Sequence, residues 1–237
     1  MMEKELNQLT EKLKETFGQQ LVSVILYGSA AAGDFHKSYS DLNILCVLRQ
    51  VTVMELEVAE PVMRWWREKG NPAPLLLSEA ETKNSTDCFA VEFHDMLERR
   101  KVLLGPDVIE GLTVDDSFYR AQVEHELRSK LLRLRMKGAG VMFDPALLTE
   151  LMSDSVSTFL VLARHALKLA GHNAPITKRE IAGVLRAQTG VDASSFERLL
   201  DVRESKIQPS TLNSREVFST YLAAIGQLVD FVDGVRK

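Results

Sequence analysis

The sequence predicts an α+β chain in two parts: a small sheet-bearing domain over residues 1–112 and an all-α helical bundle over residues 113–237. Three observations carry this prediction. LVSVILYG (21–28) and DLNILCVL (41–48) are short, rich in β-branched and aliphatic residues, and bounded by turn formers. Strand-like and helix-like segments then alternate as far as Leu112. Beyond it the strand signals stop, and apolar residues recur at intervals of three and four.

Taken in order, Leu6, Leu9, Leu13 and Phe17 share one face of a helix over residues 2–18, ended by Gly18. The runs at 21–28 and 41–48 read as strands buried on at least one face. Between them, SAAAGDFHKSYS offers a small-residue helix start and a Ser/Asp/Gly loop. Residues 53–69 read as a helix that Pro61 kinks or restarts, and GNPAP (70–74) closes it. Three more strands are expected at PLLLS (74–78), AVEFHDM (90–96) and KVLLG (101–105), the second on an alternation of Val91 and Phe93 with Glu92 and His94. In the second half, DDSFYRAQVEHELRSKLLRLRMKG places Val123, Leu127, Leu131 and Leu134 on one helical face and ends at Gly138. Further helices are expected at 145–171, 177–188, 194–204 and 214–235, joined by GHNAP and KIQPSTLNS.

With 29 basic and 33 acidic residues, no overall field marks a nucleic-acid or membrane partner, so such a contact would need a local patch. Cys46 and Cys88 lie far apart, without metal-type spacing, and read as reduced thiols of an intracellular protein. The first twenty residues are amphipathic, unlike a charged leader with an apolar core, and no apolar run approaches the ~20 residues that span a bilayer. These features lead us to expect a soluble, cytoplasmic protein.

The most informative stretch is a strand ending at Tyr27, then Gly28-Ser29, eleven residues, and Asp41-Leu42-Asn43-Ile44. It resembles the signature of the nucleotidyltransferase superfamily, a Gly-Ser or Gly-Gly turn followed some ten residues on by Asp-x-Asp in a strand. CFAVEFHDMLERRKVLLGPD (88–107) is similar to the later strand pair of bacterial aminoglycoside-nucleotidyltransferase-like proteins, in which a helical bundle also follows the catalytic domain. The resemblance implies a small mixed sheet of polymerase-β-like type. It also implies transfer of a nucleoside monophosphate from a nucleoside triphosphate such as ATP to a hydroxyl acceptor, a small molecule or a protein, with Mg2+ or Mn2+. Gly28 and Ser29 match the phosphate turn, Asp41 the first metal ligand, Asn43 the position of the second, and Glu92 the third acidic position, with Asp95 as an alternative to it.

The physical reasons are direct. Gly28 has no side chain, so backbone amides and the Ser29 hydroxyl are open to a triphosphate. Residues 41 and 43, two apart on a strand, point the same way and can reach ions that bridge the nucleotide phosphates. The departure is Asn43, which offers a neutral carbonyl oxygen in place of a carboxylate and so weakens metal binding. The phosphate turn does not depend on it. A catalytically weak or inactive nucleotide-binding regulatory protein is therefore the alternative expectation, and an interaction or homo-oligomer surface on the bundle a third.

Other constellations read as structure. Arg120 and His125 form an Arg-x4-His arrangement similar to the RNase pair of HEPN helical domains, but positions five apart on a helix are about 140° apart. Arg128, Lys130, Arg133, Arg135 and Lys137 form a basic stretch, either a solvated helix surface or a contact for nucleotide phosphates or RNA. Of Trp65 and Trp66, at least one is expected in the core, and His165 and His172 lack a carboxylate partner for a metal.

Overall fold

The structure is a computed structural model and describes residues 2–31 and 42–235. The chain forms two compact units, Met1–Asp116 and Ser117–Lys237.

The first unit is built on a four-stranded mixed sheet. Its strands are β1 (Leu21–Tyr27), β2 (Asn43–Leu48), β3 (Leu75–Ser78) and β4 (Arg100–Leu104), in the order β3-β2-β1-β4. β1 pairs antiparallel with both β2 and β4, while β2 and β3 are parallel. The two central strands are nearly continuous apolar runs because both their faces are covered. On one face, Val24, Leu26, Ile44, Cys46 and Leu48 pack with Leu6, Leu9, Leu13 and Phe17 of α1 (Met2–Phe17) and with Ala59, Val62 and Trp66 of α2 (Val53–Glu68). On the other, Ile25, Leu45 and Val47 meet Phe93, Met96 and Ile109. α2 starts at a capping box in which Thr52 and Glu55 exchange hydrogen bonds, and it runs through Pro61 as one helix.

Two local expectations fail. AVEFHDM is not a strand but the first part of α4 (Ala90–Glu98). Its buried residues, Ala90, Val91, Phe93 and Met96, follow a spacing of three that serves one helical face, and this outweighs the short alternation. The Arg100 guanidinium donates to the carbonyl of Leu97 (2.7 Å), stopping the helix where β4 begins. A short helix, α3 (Glu79–Asn84), was not foreseen. There Ser78, the last residue of β3, accepts from the Glu81 amide (3.2 Å) while the Glu81 carboxylate accepts from the Ser78 amide (2.7 Å). SAAAGDFHKSYS falls almost wholly outside the described residues.

The second unit comprises α5 (Tyr119–Val141), α6 (Pro145–Leu169), α7 (Lys178–Thr189), α8 (Ser194–Arg203) and α9 (Ser214–Gly234). α6 is long and apolar enough to cross a membrane by length and composition, yet it packs against all four other helices and buries Leu148, Met152, Val156, Phe159, Leu160 and Leu167. That is the pattern of a bundle's core helix. Tyr221 is edge-on to both Phe159 and Phe196, locking α9 to α6 and α8. α5 runs past Gly138, the expected stop. A Cβ on Gly138 would lie 2.4 Å from the Phe218 ring, so this glycine lets α9 approach instead of ending the helix.

Gly105 and Gly111 both have positive φ, +78° and +76°, but differ in their surroundings. A Cβ on Gly105 would lie 2.1 Å from the Val22 carbonyl oxygen, whereas one on Gly111 would meet nothing within 4 Å. Gly111→Ala is therefore expected to cost about 1–2 kcal/mol from backbone conformation alone. Gly105→Ala adds a clash of about 1–3 kcal/mol at the β1–β4 edge, a difference that urea unfolding of the two variants measures directly.

Candidate functional site

Three strand ends meet at one corner of the sheet. Tyr27, the last residue of β1, pairs with Asn43 at the start of β2 and with Arg100 at the start of β4. The chain leaves this corner through Gly28 at φ +79°, a left-handed conformation suited to glycine. Space imposes a second constraint, since a Cβ on Gly28 would lie 3.3 Å from Asn43 Nδ2. The Gly28 amide donates to the Arg99 carbonyl (3.0 Å), and the Gly28 carbonyl accepts from the Ala31 amide (3.1 Å), closing a tight turn. Ala30 is buried in the α1/α2 core and anchors the turn from below.

This arrangement decides which backbone groups are already engaged. The Gly28 amide is occupied, so it is not a phosphate donor. Among the described residues, the Ser29 and Ala30 amides and the Asn43 side chain have no hydrogen-bond partner. Successive unsatisfied amides in a turn form a concavity that favours an anion. A neutral carboxamide beside them adds a donor or an acceptor, depending on its orientation.

The opposite wall comes from α4. Tyr27 and Asn43, directly opposed on an antiparallel ladder, share a sheet face with Ile25 and Leu45, the face that α4 covers. The Tyr27 phenol is pushed up to about 12, first by burial, then by the negative charges of Glu92 and Asp95. Both carboxylates stand three apart on α4, on one helical face. Asp95 accepts from the Arg99 guanidinium at 2.6 Å, with side chains only 13% and 5% exposed. Arg99 thus acts twice: its side chain holds Asp95, and its carbonyl holds the Gly28 amide. Arg100 is fixed in turn by Asp107 (2.8 Å), which also accepts from the Ile109 amide (3.1 Å).

Of the residues selected from sequence, Gly28, Ser29 and Asn43 come together at this corner, and Glu92 approaches it through Tyr27 from a helix and not from a strand. Asp41 lies outside the described residues. Asp95, the alternative to Glu92, is tied to Arg99. Sequence reasoning missed Tyr27 and Arg99; the Asp95–Arg99 spacing of four would have signalled the pair had residues 90–98 been read as a helix. Among the described residues, no three His, Cys, Asp or Glu side chains cluster as a metal site. The donors that are present, the Asn43 carbonyl and the Glu92 carboxylate, are hard oxygens of the kind Mg2+ takes when nucleotide phosphates supply its remaining ligands.

The other constellations are structural. Arg120 pairs with Glu124 (2.8 Å) while His125 lies by Ser129 (3.4 Å), so these two side chains have separate partners. Trp66 is fully buried, and Trp65 carries the Lys12 and Lys69 ammonium groups 5.1 Å from its ring centre. His165 is buried against the Tyr119 hydroxyl (2.6 Å), and both cysteines are free thiols.

Because its pKa is raised above the ordinary value near 10, Tyr27 contributes stability that is full below that pH and is lost as pH rises from about 10 through about 12. The difference between the ultraviolet titrations of the native chain and Tyr27→Phe isolates this phenol. In a Glu92→Gln background its midpoint is expected to fall, and an unchanged midpoint would place Glu92 away from the corner.

Comparison with known proteins follows this geometry. No family model matches the chain, and no curated protein does. Among solved structures it is similar to a spectinomycin adenyltransferase from Enterococcus faecialis, solved with ATP and spectinomycin. The TM-score is 0.61 over 97% of this chain and 98% of that one, at 14% identity. The chain therefore shares the α+β fold of that adenyltransferase, with a small mixed four-stranded sheet followed by a helical part.

Proposed function

We propose that the protein transfers a nucleoside monophosphate from a nucleoside triphosphate to a hydroxyl group of a small-molecule acceptor. One observation carries this reading: a glycine-tight turn, whose Ser29 and Ala30 amides have no hydrogen-bond partner among the described residues, stands beside Asn43 at the strand-end corner. The likeness to a nucleotidyltransferase solved with ATP and a small-molecule acceptor supports it at the level of the fold.

In this reading the Ser29 and Ala30 amides and the Ser29 hydroxyl bind the triphosphate. Asn43 and Asp41 hold Mg2+ or Mn2+ with the phosphates, Asp41 entering from the sequence pattern alone. The metal, when bound, offsets charge on the phosphoryl oxygens. The acceptor oxygen attacks the α-phosphorus, its proton passes to the Glu92 carboxylate, and pyrophosphate leaves with the electron pair of the broken P–O bond. Tyr27, whose pKa is pushed up to about 12, stays neutral at physiological pH and adds no charge beside that carboxylate.

Asn43 favours a second reading, a nucleotide-binding regulator with little turnover, because a carboxamide holds a divalent cation less strongly than a carboxylate. Two measurements separate these. Calorimetric titration with ATP and GTP in Mg2+ or Mn2+ is expected to show binding that Ser29→Ala weakens; no binding at millimolar nucleotide would overturn both readings. Pyrophosphate release with a panel of hydroxylated acceptors is expected from the native chain, with Glu92→Gln slowing it about 10²–10⁴-fold and Asn43→Asp raising it. Turnover in Asn43→Asp alone would instead identify the native chain as a binding module.

A further inference from the structure

A cavity of about 270 Å³ opens in the helical unit along the groove between α5 and α6. These helices are joined by the short connection Met142–Asp144, so they form an αα-hairpin in which residues equally far from the turn face one another. The α5 wall carries Lys130, Arg133 and Lys137, whose spacing of three and four keeps the three cations within an arc of about 60°. The α6 wall carries Asp154, Ser155 and Thr158, and Leu134, Leu151 and Phe159 form the apolar floor.

The charge pattern is not self-satisfied. Lys130 pairs with Glu126 (3.0 Å), but among the described residues Arg133 and Lys137 have no ion-pair partner, and Asp154 has neither an ion pair nor a hydrogen bond. Arg133 and Lys137, four apart, repel each other on the helix surface unless an anion lies between them. Facing them, Ser155 is held in place by the Met152 carbonyl (3.0 Å) and the Tyr221 hydroxyl (3.1 Å), so its oxygen is preset and not freely rotating. A rigid floor, an anion-seeking wall and an opposite wall of hydroxyls with one carboxylate together describe a ligand with two chemically different ends.

We propose that this cavity binds a small organic phosphate that also carries hydroxyl groups, in the size class of a sugar phosphate. The phosphate sits between Arg133 and Lys137, where a guanidinium and an ammonium supply charge-assisted hydrogen bonds. The ligand hydroxyls donate to Asp154 and exchange hydrogen bonds with Ser155 and Thr158. The volume lies just below the roughly 300–1,000 Å³ of ligand pockets, which suits a monosaccharide phosphate better than a nucleoside triphosphate. This site is built entirely from the helical unit and stands independently of nucleotidyl transfer.

The test is isothermal titration of the full chain with glucose 6-phosphate, ribose 5-phosphate and inorganic phosphate, with glucose as the uncharged control. Saturable binding of at least one sugar phosphate is expected, with weaker binding of inorganic phosphate and none of glucose. Arg133→Ala/Lys137→Ala should weaken sugar-phosphate binding about 100-fold, roughly tenfold for each charge-assisted contact. Asp154→Ala should weaken the sugar phosphates about tenfold while leaving inorganic phosphate no weaker. All three positions are exposed, so circular dichroism of the variants should match the native chain. Ser29→Ala should leave the binding unchanged. No binding of any phosphate at about 10 mM, or binding that survives the double substitution, would overturn the proposal.

Discussion

The hydrogen bond from the Gly28 amide to the Arg99 carbonyl (3.0 Å) sets where the other groups at the strand ends can lie. It extends the β1–β4 ladder by one residue beyond Tyr27 and thereby turns the chain at Gly28, in a conformation that side-chain-bearing residues adopt at a cost. With that amide consumed, Ser29 and Ala30 are the next two along the turn, and neither amide has a hydrogen-bond partner among the described residues. The same residue that supplies the carbonyl also grips Asp95 through its guanidinium (2.6 Å). Removing either member of such a buried pair would strand the other charge, so the end of α4 and the turn are fixed as one piece.

Around this joint the electrostatics are graded. Glu92 and Asp95 bring negative charge to the α4 side of the corner, and their effect is visible in the raised Tyr27 pKa. Arg99 offsets Asp95. Asn43 contributes a dipole where the superfamily pattern has a full charge. The corner is therefore less negative than a three-carboxylate site, a change that reduces hold on a divalent cation while easing the approach of a polyphosphate. In the proposed reading, Asn43 would therefore act on metal affinity and on nucleotide affinity with opposite signs.

Much of the first unit was legible because its signals are local. The runs at 21–28 and 41–48 read as strands since burial on both faces demands unbroken apolar stretches. Gly28, Ser29 and Asn43 could be picked out for a similar reason: a strand, a tight turn and the next strand place them together regardless of the rest of the chain. α4 could not be read that way, because the apolar residues of a seven-residue segment fit both periods and only its packing on Ile25, Leu45 and Val47 resolves it. Misassigning that helix hid the Asp95–Arg99 pair, which is local to it, and the influence of Glu92 on Tyr27, which is tertiary. Gly138 misled in the other direction, being a contact for Phe218 and not a helix end.

The central claim, that nucleotide phosphates rest on the turn after β1, is tested most directly by amide nuclear magnetic resonance. A 15N-labelled chain would be titrated with a non-hydrolysable ATP analogue and Mg2+. The account predicts saturable shifts of the Ser29 and Ala30 amides and of the Asn43 side-chain amide, with the Gly28 amide, bound to Arg99, moving less. Saturable binding that leaves these signals in place, or no binding at millimolar analogue, would contradict it.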